Sequence, residues 1–150
     1  MVYRLKETIQ LAVSIDDAWE FFSNPNNLKV ITPPELNMQI QSELPDEIYA
    51  GMIITYKVHP VLSIPLTWVT EITQVKRPHL FVDEQRYGPY RMWHHQHHIN
   101  ESKRGVEVTD LVDFILPFGP LGNLAYQLFV KKQLSEIFEF RKKVLLERLS

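Results

Sequence analysis

The sequence contains no cysteine, which excludes disulfide bonds, thiolate nucleophiles and zinc sites with cysteine ligands. This absence is compatible with a reducing cytoplasm. Charge of one sign is not in excess either. The formal net charge is −2 at pH 7, so no overall basic field favours nucleic acid or an anionic membrane. No stretch approaches the roughly 18 apolar residues of a membrane-spanning helix. Polar residues in "RLKETIQ" interrupt the apolar character of the N-terminus, and so we expect no signal peptide. Together these absences predict a soluble, cytoplasmic protein with no nucleic-acid partner and no stable membrane insertion.

The composition is that of a folded chain. Apolar residues make up 45% of the 150 residues and charged residues 23%. This length is typical of one ordinary domain, which can bury one core and one cavity. We therefore expect residues 1–150 to form a single domain.

The chain begins with one strand and one short helix, and a long run of strands follows. Apolar and polar residues alternate over 3–13, which is typical of a half-buried strand. Ser14 or Asp16 can cap a helix that ends at Asn24 and Pro25. Further strand patterns, separated by turn residues, are found near 38–42, 52–58, 66–75, 79–87, 88–99 and 106–116. Links this short favour antiparallel pairing, and Gly105 suits the last hairpin loop. The proline-containing segments 33–34 and 59–65 are expected to be connections beside a cavity mouth.

A long helix is predicted over 121–149. Its apolar residues recur at three- and four-residue spacings, namely Leu124, Leu128, Leu134, Ile137, Phe138, Val144, Leu145 and Leu149. The polar "KKQ" at 131–133 weakens this stripe and allows a kink there. The concave face of the sheet is the available partner for the helix. The predicted fold is therefore α+β, with an antiparallel sheet of about six to seven strands wrapped around a long C-terminal helix.

Several segments, in this order, resemble a known family. They are "DDAWEFFSNPNNLKVITPP", "LTWVTEIT", "PHLFVDEQRYGPYRMWHHQHHI", "VTDLVDFILPFGPLGNL" and "LFVKKQLSEIFEFRKKVL". The chain is similar to the START-related SRPBCC superfamily, and within it to uncharacterised bacterial ligand-binding members. The family pattern falls on Trp93, His95, His97, Ile99 and Asp110. The resemblance implies a helix-grip fold with a hydrophobic cavity between sheet and helix. Relatives include lipid and sterol carriers, aromatic polyketide cyclases and quinone-binding proteins.

Four histidines crowd the segment "RMWHHQHHIN" at 91–100. On a strand, Arg91, Trp93, His95, His97 and Ile99 share one face, which the apolar residues predict to point inward. His94 and His98 then lie on the opposite, solvated face. On the following strand Asp110 shares a face with Val106, Val108, Val112 and Phe114. A hairpin would bring Asp110 opposite His95 or His97, depending on the register.

Four interpretations remain open for His95, His97 and Asp110. They could form a structural network that fixes the strand register, or the polar end of a ligand cavity. They could also carry out acid–base catalysis, or hold a metal ion with two histidines and one aspartate. We expect neither a metal nor a cofactor.

The predicted function is binding of a small hydrophobic molecule, such as a lipid, sterol, quinone or aromatic polyketide. The residues expected to contact it are Trp68, Phe81, Tyr90, Arg91, Trp93, His95, His97, Asp110, Val112, Phe114, Leu128 and Leu134. The alternative is a cyclase, dehydratase or isomerase in which a cavity histidine acts as general base. A third class is an interaction module whose cavity is filled by its own side chains. The sequence sets no oligomeric state.

Overall fold

The computed structural model describes residues 1–60 and 63–150. The strands are β1 (Tyr3–Leu11), β2 (Gln39–Ile40), β3 (Ile53–Val58), β4 (Leu66–Lys76), β5 (Leu80–Tyr87), β6 (Met92–Ser102) and β7 (Gly105–Ile115). The helices are α1 (Ile15–Ser23), α2 (Gly119–Ala125) and α3 (Lys131–Arg148), with short 3₁₀ turns at Pro25–Asn27 and Pro34–Leu36. The predicted connection at 59–65 includes two residues outside the described part of the chain.

All seven strands form one antiparallel sheet in the order β1-β7-β6-β5-β4-β3-β2. Strands β2 to β7 form a meander, and β1 joins its far edge by pairing with β7. The β6–β7 hairpin closes at Ser102 and Gly105, where φ is +129° and a Cβ would overlap the Leu11 carbonyl. Only glycine fits that position. The α+β prediction of an antiparallel sheet with a long C-terminal helix is confirmed.

Two register shifts bend β4, one between Val69 and Thr70 and the other between Ile72 and Gln74. Bulges of this kind increase local twist and curve a sheet. The curved sheet leaves β1 and β2 as separate edges, and its concave face receives the C-terminal helix.

Helix α1 covers one end of the concave face. The Ser14 side chain accepts a hydrogen bond from the Asp17 backbone amide at 3.1 Å, which confirms Ser14 as the N-cap. The buried Trp19 meets the Phe81 ring edge-on, with centroids 6.0 Å apart. This contact fixes α1 against β5 and closes that end of the interior.

The C-terminal helix runs from Gly119 to Arg148, and a π-helical turn at Tyr126–Val130 joins α2 to α3. In α3 the buried stripe is Leu134, Phe138, Arg141 and Leu145. A π turn holds more residues than an α turn, so the stripe before it is rotated away from the stripe after it. The prediction that Leu124 and Leu128 belong to the buried stripe is therefore wrong, because both are exposed. The predicted irregularity exists, but it lies just before 131–133.

Within residues 1–60 and 63–150, no helix combines the length and apolar character needed to cross a membrane.

Candidate functional site

A cavity of about 530 Å³ lies between the concave face of the sheet, α1 and the C-terminal helix. Ligand cavities in proteins commonly have volumes of roughly 300–1,000 Å³. Most of the wall is apolar. Seven of the residues predicted from the sequence lie on it: Trp68, Phe81, Tyr90, Trp93, His95, His97 and Leu134.

Other predicted contact residues do not reach the cavity. Arg91 is exposed because it precedes β6 at a bend, where strand alternation no longer applies. Leu128 is 59% exposed because the π-helical turn at Tyr126–Val130 rotates it away from the buried stripe of α3. Val112 and Phe114 are buried on the inward face of β7, but they pack into the core beside the cavity. The Phe114 ring, for example, stacks on Tyr3 with centroids 5.5 Å apart.

The predicted alternation of β6 and β7 is confirmed. Trp93, His95, His97 and Ile99 are buried, as are Val106, Val108, Asp110, Val112 and Phe114. His94 and His98 lie on the opposite face and are half-buried. There His94 approaches Glu84, with Nδ1 3.4 Å from Oε1. The register pairs His97 directly with Asp110, and on the other side it pairs Asp83 of β5 with His95.

Five side chains form a polar cluster at one wall of the cavity: Asp83, His95, His97, Asp110 and Arg141. His95 Nε2 donates to Asp110 Oδ1 at 2.8 Å, and His97 Nε2 donates to Asp83 Oδ2 at 2.5 Å. The guanidinium of Arg141 donates from Nη2 to Asp110 Oδ1 at 3.1 Å. Each carboxylate is thus held by a histidine, and Asp110 also by an arginine. Asp110 lies behind the wall, while the other four line the cavity.

Two cluster members were missed from the sequence, although each carried a signal. Asp83 is two residues after Phe81 on β5, so a strand that points Phe81 inward points Asp83 inward too. Arg141 lies three residues after Phe138 and four before Leu145, on the apolar stripe of α3. A charged residue on such a stripe indicates a buried partner of opposite charge.

The two carboxylates of the cluster are ionised. Burial alone would raise the pKa of Asp110, but Arg141 and the two histidines hold that pKa well below its usual value. Burial opposes ionisation of Asp83 as well, and the neighbouring His95 and His97 lower its pKa. Asp83 is the more open of the two, with 18% of its side chain exposed against 5% for Asp110.

The two histidines differ in charge. Burial and the neighbouring His97 lower the pKa of His95, which keeps that ring neutral near pH 7. Burial alone would lower the pKa of His97 as well. The hydrogen bonds and negative charges of Asp110 and Asp83 outweigh the effect of burial and raise the pKa of His97. The cluster therefore holds two negative charges, from Asp83 and Asp110, opposite the charge of Arg141 and beside His97, whose raised pKa favours its protonated form.

Asp83, His95 and His97 offer donor atoms of the types that hold a metal ion, all within 4.8 Å of one another. The two imidazole rings, however, are stacked, with centroids 3.7 Å apart and planes 25° from parallel. Stacked rings point their nitrogen lone pairs side by side, whereas two histidines that share one cation point them at a common position. The donor types fit a metal, but this ring arrangement fits hydrogen bonding to the carboxylates.

Aromatic side chains form the wall beyond the cluster. Trp68 contacts Tyr90, Trp93 and Tyr56 at centroid distances of 5.5 to 6.0 Å. Burial raises the pKa of Tyr56 and of Tyr90, so both hydroxyls remain protonated and able to donate. Among the described residues, the buried Trp68 Nε1 finds no hydrogen-bond acceptor. This part of the wall thus presents flat apolar surface with a few donors.

The sequence matches no protein-family profile, and no curated protein matches it either. Solved structures do match. The Zhui aromatase/cyclase from a Streptomyces species superposes with a TM-score of 0.73 at 14% identity, covering 98% of this chain and 93% of that one. This chain therefore has the helix-grip fold. A protein from Thermus thermophilus gives a TM-score of 0.72 at 14% identity, over 99% of this chain and 96% of its own. Norcoclaurine synthase from Thalictrum flavum gives 0.68 at 16% identity, over 98% and 96%.

The helix-grip fold that the resemblance implied is confirmed. The names of these neighbours describe what those proteins do. At identities of 14–16%, only the fold extends to this chain.

Proposed function

We propose that the protein binds a small, largely apolar molecule that carries one uncharged polar group. The observation that supports this most is an apolar cavity of about 530 Å³ whose wall is interrupted by the polar cluster. An apolar cavity with a few convergent polar groups is the usual form of a small-molecule site. The apolar body of the ligand would lie against Trp68, Trp93 and Leu134, and its polar group would meet Asp83 and His95.

Charge balance favours an uncharged ligand. Arg141 is already paired with Asp110, and the protonated His97 with Asp83. A ligand carboxylate would add a third negative charge beside Asp83 and Asp110, and Arg91, the cation expected to meet it, lies outside the cavity. An unpaired charge in an apolar site is strongly disfavoured. A hydroxyl or amine N–H would instead donate to Asp83, the most accessible carboxylate of the cluster.

The expected affinity is moderate. Burying about 400 Å² of apolar ligand surface at about 25 cal/mol per Å² contributes about 10 kcal/mol. Lost translational and rotational freedom removes about 4 kcal/mol or more. The remainder corresponds to a dissociation constant of roughly tens of micromolar. A hydrogen bond to Asp83 would strengthen this further.

The test uses N-phenylnaphthylamine, a neutral fluorescent probe with two aromatic bodies and one N–H donor. We expect saturable binding to the wild-type protein and a loss of at least tenfold in Leu134→Trp, which fills the cavity from α3. The matched control is Leu146→Trp, the same change on the same helix at an exposed position outside the cavity. Circular dichroism shows whether both variants are folded. Equal probe binding by a folded Leu134→Trp would refute the proposal.

A second candidate function is general base catalysis on such a ligand, and the His95–Asp110 contact favours it. The carboxylate fixes the ring through Nε2, and because His95 is neutral its Nδ1 is left without a proton. A neutral imidazole oriented by a carboxylate is the common arrangement of a general base. His95 lies on the cavity wall, within reach of a bound molecule.

This second function is tested with His95→Gln in a screen of aromatic ketones and polyketide analogues for cyclisation, dehydration or isomerisation. Turnover by the wild type that His95→Gln loses while retaining N-phenylnaphthylamine binding would support catalysis. If His95→Gln retains turnover, the result favours the binding function alone. The same conclusion follows if the wild type turns over none of the compounds.

A further inference from the structure

Large apolar side chains are exposed where the C-terminal helix begins. We call this surface the mouth patch, and its five residues are 55% to 79% exposed: Phe118, Leu121, Leu124, Leu128 and Phe129. Contiguous apolar surface of this kind is uncommon on proteins that work alone in water, and it often marks an interaction site.

The helical periodicity turns this patch outward as a stripe. Leu121, Leu124 and Leu128 follow one another at intervals of three or four residues along the helix, and Phe118 is its N-cap residue, directly before Gly119. The opposite side faces the cavity through Gly122, Ala125 and Val130. The same segment therefore presents apolar side chains both to the interior and to solvent.

Lysines outnumber acidic residues beside the patch. Residues 114–135 contain no aspartate or glutamate, and Lys131 and Lys132 are exposed directly after Phe129. The first acidic residue after them is Glu136, whose Oε1 lies 3.8 Å from Lys132 Nζ. The chain as a whole has a net charge of −2, so this positive segment is a local feature. Apolar side chains beside lysines are the combination that binds the interface of an anionic bilayer.

The patch also borders the cavity. Phe118 and Leu121 line the cavity while being 79% and 72% exposed, which places them at its opening. A surface that seats on the mouth patch would therefore lie at the opening through which a ligand passes.

We infer that the mouth patch docks on an anionic lipid surface, with its apolar side chains among the acyl chains and Lys131 and Lys132 at the headgroups. A symmetric dimer through the patch would bring the lysines of two copies together, and the first acidic residue beside them, Glu136, already lies 3.8 Å from Lys132 of its own chain. Passage of the ligand between bilayer and cavity rests on the proposed function, whereas docking does not require a ligand.

The experiment is co-sedimentation of the full chain, without added ligand, with two kinds of vesicle. One is phosphatidylcholine alone, and the other is phosphatidylcholine mixed with phosphatidylglycerol. We expect binding to the mixed vesicles that weakens as salt is added, and weaker binding to phosphatidylcholine alone. Leu128→Ser combined with Phe129→Ser changes two patch residues that do not line the cavity. This variant should bind the mixed vesicles at least tenfold more weakly.

The matched control replaces two exposed apolar residues elsewhere, Tyr49→Ser and Leu146→Ser, and should bind like the wild type. Lys131→Glu combined with Lys132→Glu should abolish the preference for phosphatidylglycerol. Equal vesicle binding by the patch variant and the wild type would overturn the inference, as would no binding to either vesicle. Sedimentation velocity can also contradict the inference. If the wild type is a dimer and the patch variant is a monomer, the mouth patch is the interface with a second copy of the chain. Binding of N-phenylnaphthylamine by the patch variant separates a failure of docking from a failure of the proposed function.

Discussion

Replacing Arg141 with methionine is expected to destabilise the fold by leaving a buried carboxylate short of its partner. Arg141 is buried in α3, and its Nη2 lies 3.1 Å from Asp110 Oδ1. Methionine keeps much of the apolar stem, so the change mainly removes the charge and its hydrogen bond. Asp110 is itself buried and cannot recover the lost interaction from bulk water.

The structure sets the size of the effect. Removing one partner of a buried ion pair typically costs about 3–5 kcal/mol. Asp110 keeps the hydrogen bond from His95 at 2.8 Å and the charged ring of His97, with Nδ1 3.3 Å from Oδ1. We therefore expect the lower end, about 3 kcal/mol, which lowers Tm by about 6–12 °C for a chain of this length.

The assay is urea unfolding followed by tryptophan fluorescence near pH 7. The control is Lys142→Met, the neighbouring exposed cation, which should change the unfolding free energy by about 0.5 kcal/mol or less. Asp110→Asn combined with Arg141→Met should cost at least about 1 kcal/mol less than the sum of the two single changes.

The pH dependence of the same pair supplies a second check. The lowered pKa of Asp110 contributes stability that is present above the usual aspartate pKa of about 3.9 and is lost as pH falls through the folded value. The difference between wild type and Arg141→Met should shrink in that acid range. Two results together would refute the buried ion pair: Arg141→Met lowers the unfolding free energy by less than about 1 kcal/mol at pH 7, and the effects of Arg141→Met and Asp110→Asn are additive in the double variant.

Two further predictions concern the cluster and the β6–β7 hairpin. Because the pKa of His97 is raised in the fold, its charged ring stabilises the protein fully below the usual value of about 6.5, and this contribution is lost as pH rises through the raised value. The gap in unfolding free energy between wild type and His97→Gln should therefore narrow as pH rises above about 6.5, and a constant gap in urea titrations would contradict it. Gly105→Ala should cost about 2 kcal/mol or more, because its Cβ would overlap the Leu11 carbonyl, whereas Gly51→Ala meets no atom within 4 Å and should cost about half as much. Equal thermal shifts for the two glycine variants would disprove this close approach.

Periodicity was sufficient to predict the sheet faces. Buried residues alternate with half-buried or exposed ones along β7, and with half-buried ones along β6 as far as Ile99, so Trp93, His95, His97 and Asp110 could be placed inward from sequence. The register that joins His97 to Asp110 could not be predicted, because a slip of two residues keeps the same side chains inward and pairs Asp110 with His95 instead.

The same rule fails where regular structure ends. Arg91 is two residues before Trp93, which on a regular strand would place both side chains on the same face. Arg91 instead lies in the bend before β6 and is exposed. Leu128 keeps a helical spacing with Leu124, but the π turn rotates both away from the face that Leu134 sets. Gly88 and Pro89 mark the bend but not the residue at which β6 begins after it, and a π turn has no distinctive composition, so these residues could not be placed from sequence alone.

The site was only partly predictable because it joins distant parts of the chain. Asp83 and His97 are 14 residues apart, and Arg141 lies 31 residues after Asp110. Their partners are decided by strand order and by the rotation of α3 about its axis, neither of which local periodicity determines. The charged residue on the apolar stripe of α3 was the available signal.

A crystal structure of the protein grown with N-phenylnaphthylamine tests the central claim most directly. We predict electron density for the probe between sheet and helix, with its rings against Trp93 and Leu134 and its N–H directed at Asp83. An interior closed by the protein's own side chains, with the probe absent or bound on the outer surface, would contradict a ligand-binding cavity.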